Sequence, residues 1–178
     1  TMALLGVGSI GQRTAQIATA MGMHVLGVRR DSTVEAAGVE SVASPEHLPD
    51  LLPRADFVVL TVPLTKETRG MIAEQELRAM KSTAYLINVG RGGTIDEDAL
   101  LKALRDGWIA GAGLDVFETE PLPEKSFLWG LSNLIITSHY AGVTPHYHER
   151  ALEVFLDNLR RYYSGVPMRN VEDKELGY

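Results

Sequence analysis

The sequence predicts an α/β fold in which a doubly wound parallel sheet lies between two layers of helices, giving three layers. Apolar runs of strand length alternate with longer stretches of helical spacing, a pattern typical of strand-helix-strand units. A glycine-rich turn also joins the first predicted strand to the first predicted helix. The chain has 178 residues, 45% of them hydrophobic, so it can bury one sizeable core. One compact domain is therefore expected.

Six strands are predicted from the short apolar runs, near residues 2–7, 24–28, 57–60, 84–88, 109–114 and 134–137. Four helices are predicted from apolar residues three or four positions apart, and they cover residues 10–21, 74–80, 96–106 and 144–163. The first strand begins one residue after the start of the chain, so we expect the chain to be truncated there.

Several ends of the predicted helices are explained by the residues at those positions. Asp96 is a suitable N-cap for the third helix and Gly107 a suitable C-cap, while Gly22 closes the first helix in the same way. The segment 118–131 contains Pro121 and Pro123, which disfavour both a helix and a central strand. An irregular connection is predicted there, of the kind that carries functional residues.

Composition and charge exclude several classes of function. The chain has 17 Lys and Arg residues and 23 Asp and Glu residues. The resulting net charge of -6 argues against binding along nucleic acid. The chain has no cysteine, which excludes disulfides and thiolate chemistry and is compatible with a cytoplasmic protein. The longest apolar runs are far shorter than the ~20 residues of a membrane span. The first residues include neither a basic leader nor a small-residue cleavage site, so no secretion signal is expected.

The glycine-rich turn has the pattern G-x-G-x-x-G and consists of Gly6, Gly8 and Gly11 with Ser9 and Ile10 between them. The first glycine permits a tight turn, the second lets backbone approach a pyrophosphate, and the third lets helix and strand pack closely. The amides of Ser9 and Ile10 would bind the anion at the helix N-terminus. Such a turn also occurs in other strand-to-helix connections, but its context here favours a Rossmann-type dinucleotide site.

The residues after the second predicted strand bear on the choice between NADP and NAD. Arg29 and Arg30 come first, and a guanidinium suits the 2'-phosphate of NADP by charge and by geometry. Asp31 follows, close to the spacing of the carboxylate that binds the ribose hydroxyls of NAD. Two arginines on a surface turn can also be solvated charges. We expect NADP or NAD, with NADP favoured.

Three further segments read LINVGRGGTID at 86–96, GLDVFETEPLP at 113–123 and TSHYAGVT at 137–144. Together they resemble the D-2-hydroxyacid dehydrogenase family, in particular its glyoxylate and hydroxypyruvate reductases. The similarity extends from residue 2 to about residue 170 and includes VPLTKET at 62–68. The three segments together are far more specific than the glycine pattern. The resemblance implies an oxidoreductase that moves hydride between a nicotinamide cofactor and a small 2-hydroxy or 2-oxo acid.

The resemblance implies three catalytic residues. Arg91 would hold the substrate carboxylate and polarise its carbonyl, since a guanidinium after a parallel strand lies where such sheets bind ligands. His139 would be the acid/base, and Glu120 would favour its imidazolium form and raise its pKa. Taken singly, Arg91 would be interpreted as a surface charge, His139 as a capping or hydrogen-bonded histidine and Glu120 as an exposed loop charge. The three together favour the catalytic interpretation. Glu118 is the second choice for the histidine partner.

The resemblance also implies cofactor contacts beyond the glycine turn. Asp115 would face the nicotinamide carboxamide, although such an aspartate can also be a turn cap. The remaining expected contacts are Val62, Pro63, Thr68, Val89, Gly90, Arg91, His139 and Gly142. His146 and His148 lack a carboxylate or thiolate at matching spacing, so no metal site is expected.

Family members carry a second, smaller domain that precedes this region, so the resemblance implies that most of the substrate domain is missing here. We expect a dinucleotide-binding domain at 1–165 and a tail at 166–178 that leads back towards the absent domain. A homodimer is expected in the full-length protein. The main alternative is a non-enzymatic NAD(H)-sensing module like the corepressors of the same superfamily. Formate oxidation is disfavoured, because that group carries an amide in place of Glu120, and phosphite oxidation is a minor alternative.

Overall fold

The first 138 residues form a seven-stranded, fully parallel sheet. The computed structural model describes residues 1–174. Its strands are β1 Met2–Leu5, β2 Val25–Val28, β3 Ser41–Ala43, β4 Phe57–Leu60, β5 Tyr85–Asn88, β6 Gly111–Leu114 and β7 Leu134–Ile136. They are arranged in the order β3-β2-β1-β4-β5-β6-β7. The predicted doubly wound Rossmann-type sheet is confirmed.

Within residues 1–174, five α-helices accompany the strands: α1 Ser9–Ala20, α2 Leu48–Leu51, α3 Glu74–Ala79, α4 Glu97–Asp106 and α5 Tyr147–Tyr163. The six predicted strands and four predicted helices are present, with ends that differ by up to three residues. The edge strand β3 and the one-turn helix α2 were not predicted. Both are too short to show a periodic apolar pattern.

The core of the sheet lies on its two faces. Successive residues of a strand point to opposite faces, and β1 shows this directly. Leu5 belongs to a cluster with Leu77 of α3 and Leu100 of α4. Leu4 belongs to a separate cluster with Ala15 of α1. Helices therefore cover both faces of the sheet, as the three-layer prediction requires.

The predicted helix ends of α4 are confirmed. The Asp96 carboxylate accepts a hydrogen bond from the Ala99 amide at 3.0 Å, and Gly107 adopts a left-handed conformation with φ 70° at the C-cap. Gly22 follows α1 with φ 83°. Because this conformation is strained for residues with a Cβ, glycine is suited to both helix ends.

The chain divides into two compact units, the first being Thr1–Ser138 and the second beginning at His139. The second contains α5, which has no buried residue. Within the described part of the chain, none of the helices has both the length and the apolar character that crossing a membrane needs. The predicted boundary at 165 stays a prediction, and residues 175–178 of the predicted tail lie outside the described residues.

Candidate active site

The predicted site residues of the first unit follow the carboxyl ends of parallel strands, which lie along one edge of the sheet. The strand registers align Leu5 with Val28 and with Leu60, and Asn88 with both Leu60 and Leu114. Ligands of open α/β sheets bind along this edge, where the strand order reverses. Here the reversal lies between β1 and β4.

The glycine turn between β1 and α1 has the geometry that its three glycines predict. Gly6 has φ 98°. A Cβ on Gly11 would lie 2.0 Å from the Gly6 carbonyl oxygen, so helix and turn are in direct backbone contact. A Cβ on Gly8 would meet nothing within 4 Å. The turn is therefore tightly built on its inner side and open on its outer side.

A threonine that the sequence analysis missed binds this turn from the end of β4, the strand beside β1 in the sheet. The Thr61 hydroxyl donates a hydrogen bond of 2.6 Å to the Gly6 carbonyl oxygen. Helix α1 begins at Ser9. Its N-cap residue is Gly8, which has no side chain to accept a hydrogen bond from the first amides of the helix. The amides of the first turn point outward from a helix N-terminus, which favours an anion.

The residues after β2 form what we call the β2 end: Arg29, Arg30 and Asp31, with Glu67 from the loop after β4. The Asp31 carboxylate accepts hydrogen bonds from the Thr33 hydroxyl at 2.6 Å and the Thr33 amide at 3.0 Å, and these bonds lower the pKa of Asp31. Arg30 lies 3.8 Å from the Glu67 carboxylate. These groups are exposed, apart from the half-buried Arg29.

The loop after β4 contains the predicted contacts Val62, Pro63 and Thr68. The Thr68 hydroxyl donates a hydrogen bond of 2.6 Å to the Pro63 carbonyl oxygen, and it accepts one of 2.8 Å from the Thr65 amide. A Cβ on Gly90 would lie 2.6 Å from the Val62 carbonyl oxygen. The loops after β4 and β5 are therefore packed backbone against backbone.

The turn after β5 carries Arg91, and its shape depends on Asn88, which is fully buried. The Asn88 amide group donates to the Arg91 carbonyl oxygen at 3.0 Å and to the Thr94 hydroxyl oxygen at 3.2 Å. The Asn88 side-chain oxygen accepts a hydrogen bond from the Gly90 amide at 3.0 Å. The Thr94 hydroxyl donates to the Arg91 carbonyl oxygen at 2.6 Å. One buried side chain thus organises the backbone on both sides of Arg91.

The turn after β6 carries Asp115 and Glu120. Asp115 is buried, and the Thr137 hydroxyl donates a hydrogen bond to its carboxylate. The Glu120 carboxylate accepts a hydrogen bond of 3.0 Å from the Phe117 amide. The residues after β5 and β6, from Asn88 to Thr94 and from Asp115 to Glu120, are called the β5–β6 end below.

The remaining predicted residues belong to the second unit. His139 is its first residue, three positions after β7, and has φ 53°, which is uncommon for a residue other than glycine. Gly142 follows in an exposed segment. The His146 imidazole, at the N-cap of α5, lies 2.9 Å from the Glu149 carboxylate in the first turn of that helix. Among residues 1–174, no three His, Cys, Asp or Glu side chains cluster as metal ligands would.

The structure therefore brings Arg91, Asp115 and Glu120 to the same edge of the first unit, which is also the edge of the glycine turn. Sequence reasoning missed Thr61, Asn88 and Thr94, which shape the turns. For Asn88 a signal was available, because an amide that ends a buried apolar strand requires hydrogen-bond partners. No comparable signal marked Thr61, whose partner lies 55 residues away.

A family model described as D-isomer specific 2-hydroxyacid dehydrogenase, NAD binding domain, matches residues 1–141. The chain belongs to this family. The resemblance drawn from the three sequence segments is thereby confirmed, and so is the assignment of this domain to nicotinamide nucleotide binding.

Curated relatives match nearly the whole chain. The glyoxylate reductase of Thermococcus gammatolerans is 44% identical over 176 residues, which are 99% of this chain and 52% of that protein. The glyoxylate reductase of Korarchaeum cryptofilum is 42% identical over 179 residues, which are 99% of this chain and 53% of that protein. The chain thus spans about half the length of these relatives.

Solved structures of the family superpose closely on this chain. A D-isomer specific 2-hydroxyacid dehydrogenase from Xanthobacter autotrophicus, in complex with NADPH and MES, has a TM-score of 0.91 and 40% identity, with 99% of this chain and 72% of that chain covered. An NADPH-dependent glyoxylate/hydroxypyruvate reductase from Sinorhizobium meliloti, in complex with NADP and sulfate, has a TM-score of 0.92 and 33% identity. The match covers 99% of this chain and 56% of that chain.

Proposed function

We propose that this chain is the nucleotide-binding domain of an NAD(P)-dependent reductase of small 2-oxo acids, with Arg91, Glu120 and His139 as its catalytic residues. One observation carries the proposal. The turn that bears Arg91 packs directly against the turn that bears Glu120, at the sheet edge where this fold binds its ligands. The relatives named glyoxylate reductase support a substrate of the glyoxylate or hydroxypyruvate type.

The residues of the glycine turn fit a dinucleotide. Gly8 leaves open space where a side chain would stand, and the first amides of α1 would hold the pyrophosphate. The expected contacts Val62, Pro63, Thr68, Val89 and Gly90 lie in the two loops that pack together beside this turn. When bound, the nicotinamide supplies the hydride for reduction of the 2-oxo carbon.

Each proposed catalytic side chain then has one task. The exposed Arg91 guanidinium, which donates a hydrogen bond of 2.8 Å to the Gly90 carbonyl oxygen, would bind the substrate carboxylate and polarise the carbonyl. The His139 imidazole would deliver a proton to the oxygen that becomes the hydroxyl group. The Glu120 carboxylate would hold the imidazolium form of His139 before that transfer. Asp115 would bind the carboxamide of the nicotinamide.

Turnover by the full-length protein tests this proposal. Oxidation of NADPH and NADH is measured with glyoxylate, hydroxypyruvate and other 2-oxo acids, for the wild type and for Arg91→Ala. We expect a loss of kcat/KM of about 100-fold or more, since a charge-assisted contact to the reacting acid disappears. Arg54→Ala is the matched control, because Arg54 precedes β4 and so lies at the opposite sheet edge. Silence with every acid would instead favour the cofactor-sensing alternative.

Parallel titration with NADPH and NADH tests the cofactor preference. We propose that Arg29 binds the 2'-phosphate, because it follows β2 directly while Asp31 is held in its own turn by Thr33. The relatives solved with NADPH and NADP support this preference. We expect NADPH to bind more tightly than NADH to the wild type, and Arg29→Asp to reverse the order. An unchanged order would contradict the assignment.

The isolated 178-residue chain should bind nucleotide and turn over 2-oxo acids very weakly, because the pocket for the acid needs the second domain. Robust turnover of glyoxylate or hydroxypyruvate by this chain alone would refute that expectation. The homodimer and the cytoplasmic location also stay proposals. The mass of the full-length protein in solution tests the first, and imaging of the tagged protein tests the second.

A further inference from the structure

The peptide bond between Phe117 and Glu118 lies at the centre of the β5–β6 end. The N–H group of this peptide bond and that of the preceding one both donate hydrogen bonds to carboxylates. The Phe117 amide donates to Glu120 at 3.0 Å, and the Glu118 amide donates to Glu97 at 2.6 Å. The second contact joins residues 21 positions apart, from α4 to the turn after β6.

The same peptide is pressed against the residue that follows Arg91. A Cβ on Gly92 would lie 1.9 Å from the Phe117 carbonyl carbon, 2.1 Å from its oxygen and 2.4 Å from the Glu118 nitrogen. These atoms are backbone and cannot turn aside as a side chain can. The turn of Arg91 and the turn of Glu120 are therefore in contact with no side chain between them.

Glu97 contacts the Phe117–Glu118 peptide from helix α4, which is anchored in the core. It occupies the first turn of α4, whose Leu100, Ala103 and Leu104 are buried in the core. The end of that helix is already capped by Asp96. The Glu97 carboxylate is therefore available to bind the turn after β6. Burial raises the pKa of Glu97, the hydrogen bond from the Glu118 amide lowers it in part, and the nearby Glu118 and Asp98 carboxylates raise it further.

We infer that Glu97 is a positioning residue: by binding the Glu118 amide, it holds the turn of Glu120 against Gly92 and so fixes the position of Glu120 relative to Arg91. The inference rests on the proposed function, since it takes Arg91 and Glu120 as catalytic residues. A displacement of about 1 Å in such a group can cost up to about 100-fold in rate. Loss of the Glu97 contact should therefore reduce turnover, although Glu97 itself does not contact the substrate.

The test uses the full-length protein with NADPH and glyoxylate, and compares three variants. Glu97→Ala should lower kcat by about 10-fold, a fraction of the full cost of misplacement, and leave the KM for NADPH unchanged. Glu97→Gln should restore kcat to within about two-fold, because its amide oxygen still accepts from the Glu118 amide. Asp98→Ala is the matched control, since Asp98 is exposed in the same helical turn, and it should match the wild type.

A double-variant cycle separates positioning from general stability. If Glu97 acts through Glu120, Glu97→Ala should cost little further activity in a Glu120→Gln background. Equal losses in the two backgrounds would overturn the inference. A Glu120→Gln variant with wild-type turnover would instead overturn the proposed function, so the two failures are distinct.

Hydrogen exchange gives a readout that does not depend on activity. The Glu118 amide should exchange about ten-fold faster or more in Glu97→Asp, whose side chain is one methylene too short, and at the wild-type rate in Glu97→Gln. This pair remains informative where Glu97→Ala fails to fold. Unchanged exchange in Glu97→Asp would contradict the inference.

Discussion

The β2 end and the β5–β6 end lie on the same edge of one sheet but are built from different interactions. At the β2 end, the charged groups Arg30, Asp31 and Glu67 are exposed and interact with near neighbours and with each other. At the β5–β6 end, Asn88 and Thr94 are buried and bonded to backbone. Exposed charges contribute little to folding, whereas buried polar groups are costly to leave unpaired. The first end can therefore change its charges without affecting the fold, whereas the buried polar groups of the second end cannot be removed without a loss of stability.

This contrast matches the two tasks that we propose. Recognition of a ribose or of its phosphate needs charge at roughly the right place. Proton and hydride transfer needs groups held within a fraction of an ångström.

Gly92→Ala should be the most damaging single change at the β5–β6 end. Its Cβ would overlap the Phe117 carbonyl group, and backbone must move to admit it. We expect a loss of about 3 kcal/mol in the free energy of unfolding, measured by urea denaturation. Gly130→Ala is the matched control, because a Cβ there meets nothing within 4 Å. Equal effects of the two changes would show that the two turns are not tightly packed.

Asn88→Ala should come next. It removes three hydrogen bonds and leaves the Gly90 amide and the Arg91 carbonyl without this partner. We expect a loss of about 2 kcal/mol in the free energy of unfolding. Asp31→Ala at the β2 end should have a much smaller effect, because its carboxylate is solvated. Comparable losses from Asn88→Ala and Asp31→Ala would remove the distinction between the two ends.

Glu67→Gln should change cofactor binding and leave stability unchanged. Its carboxylate lies 3.8 Å from Arg30, which we propose as a second contact of the 2'-phosphate beside Arg29, and it would compete with that phosphate for the guanidinium. Removing the charge should tighten NADPH binding about two- to five-fold and leave NADH binding unaltered, as measured by fluorescence titration. Glu40→Gln, which loses only a partner of His24, serves as the control. Equal tightening for both cofactors would rule out an effect through the 2'-phosphate.

The smallest predicted effect is the pH dependence of stability that Glu97 contributes. Its pKa in the folded chain is raised above the ordinary value of 4.5, chiefly by burial, so the folded state holds the proton more tightly than the unfolded state. Stability should therefore fall as the pH rises through and above that value. Glu97→Gln should remove this fall and match the wild type only below pH 4.5. Urea denaturation from pH 4 to pH 8 measures the difference, and parallel curves would contradict it.

Much of the site was predictable from where each residue follows its strand. Arg91 and Asp115 follow β5 and β6, which are neighbours in register, so a parallel sheet must bring them to the same edge. The glycine turn was predictable for the same reason. The β2 end was also foreseen, although the pairing of Arg30 with Glu67 was not, because that contact joins loops 37 positions apart in the chain.

The amino-acid sequence alone determined the fold class, the family and the edge of the sheet where the functional residues lie. Strand and helix periods, together with the order of parallel strands, are local patterns that can be read without coordinates. Only the tertiary structure decided how Gly92, Glu97 and the Phe117–Glu118 peptide meet. Their contacts join segments 21 or more residues apart, and a packed backbone contact depends on the exact path of both segments.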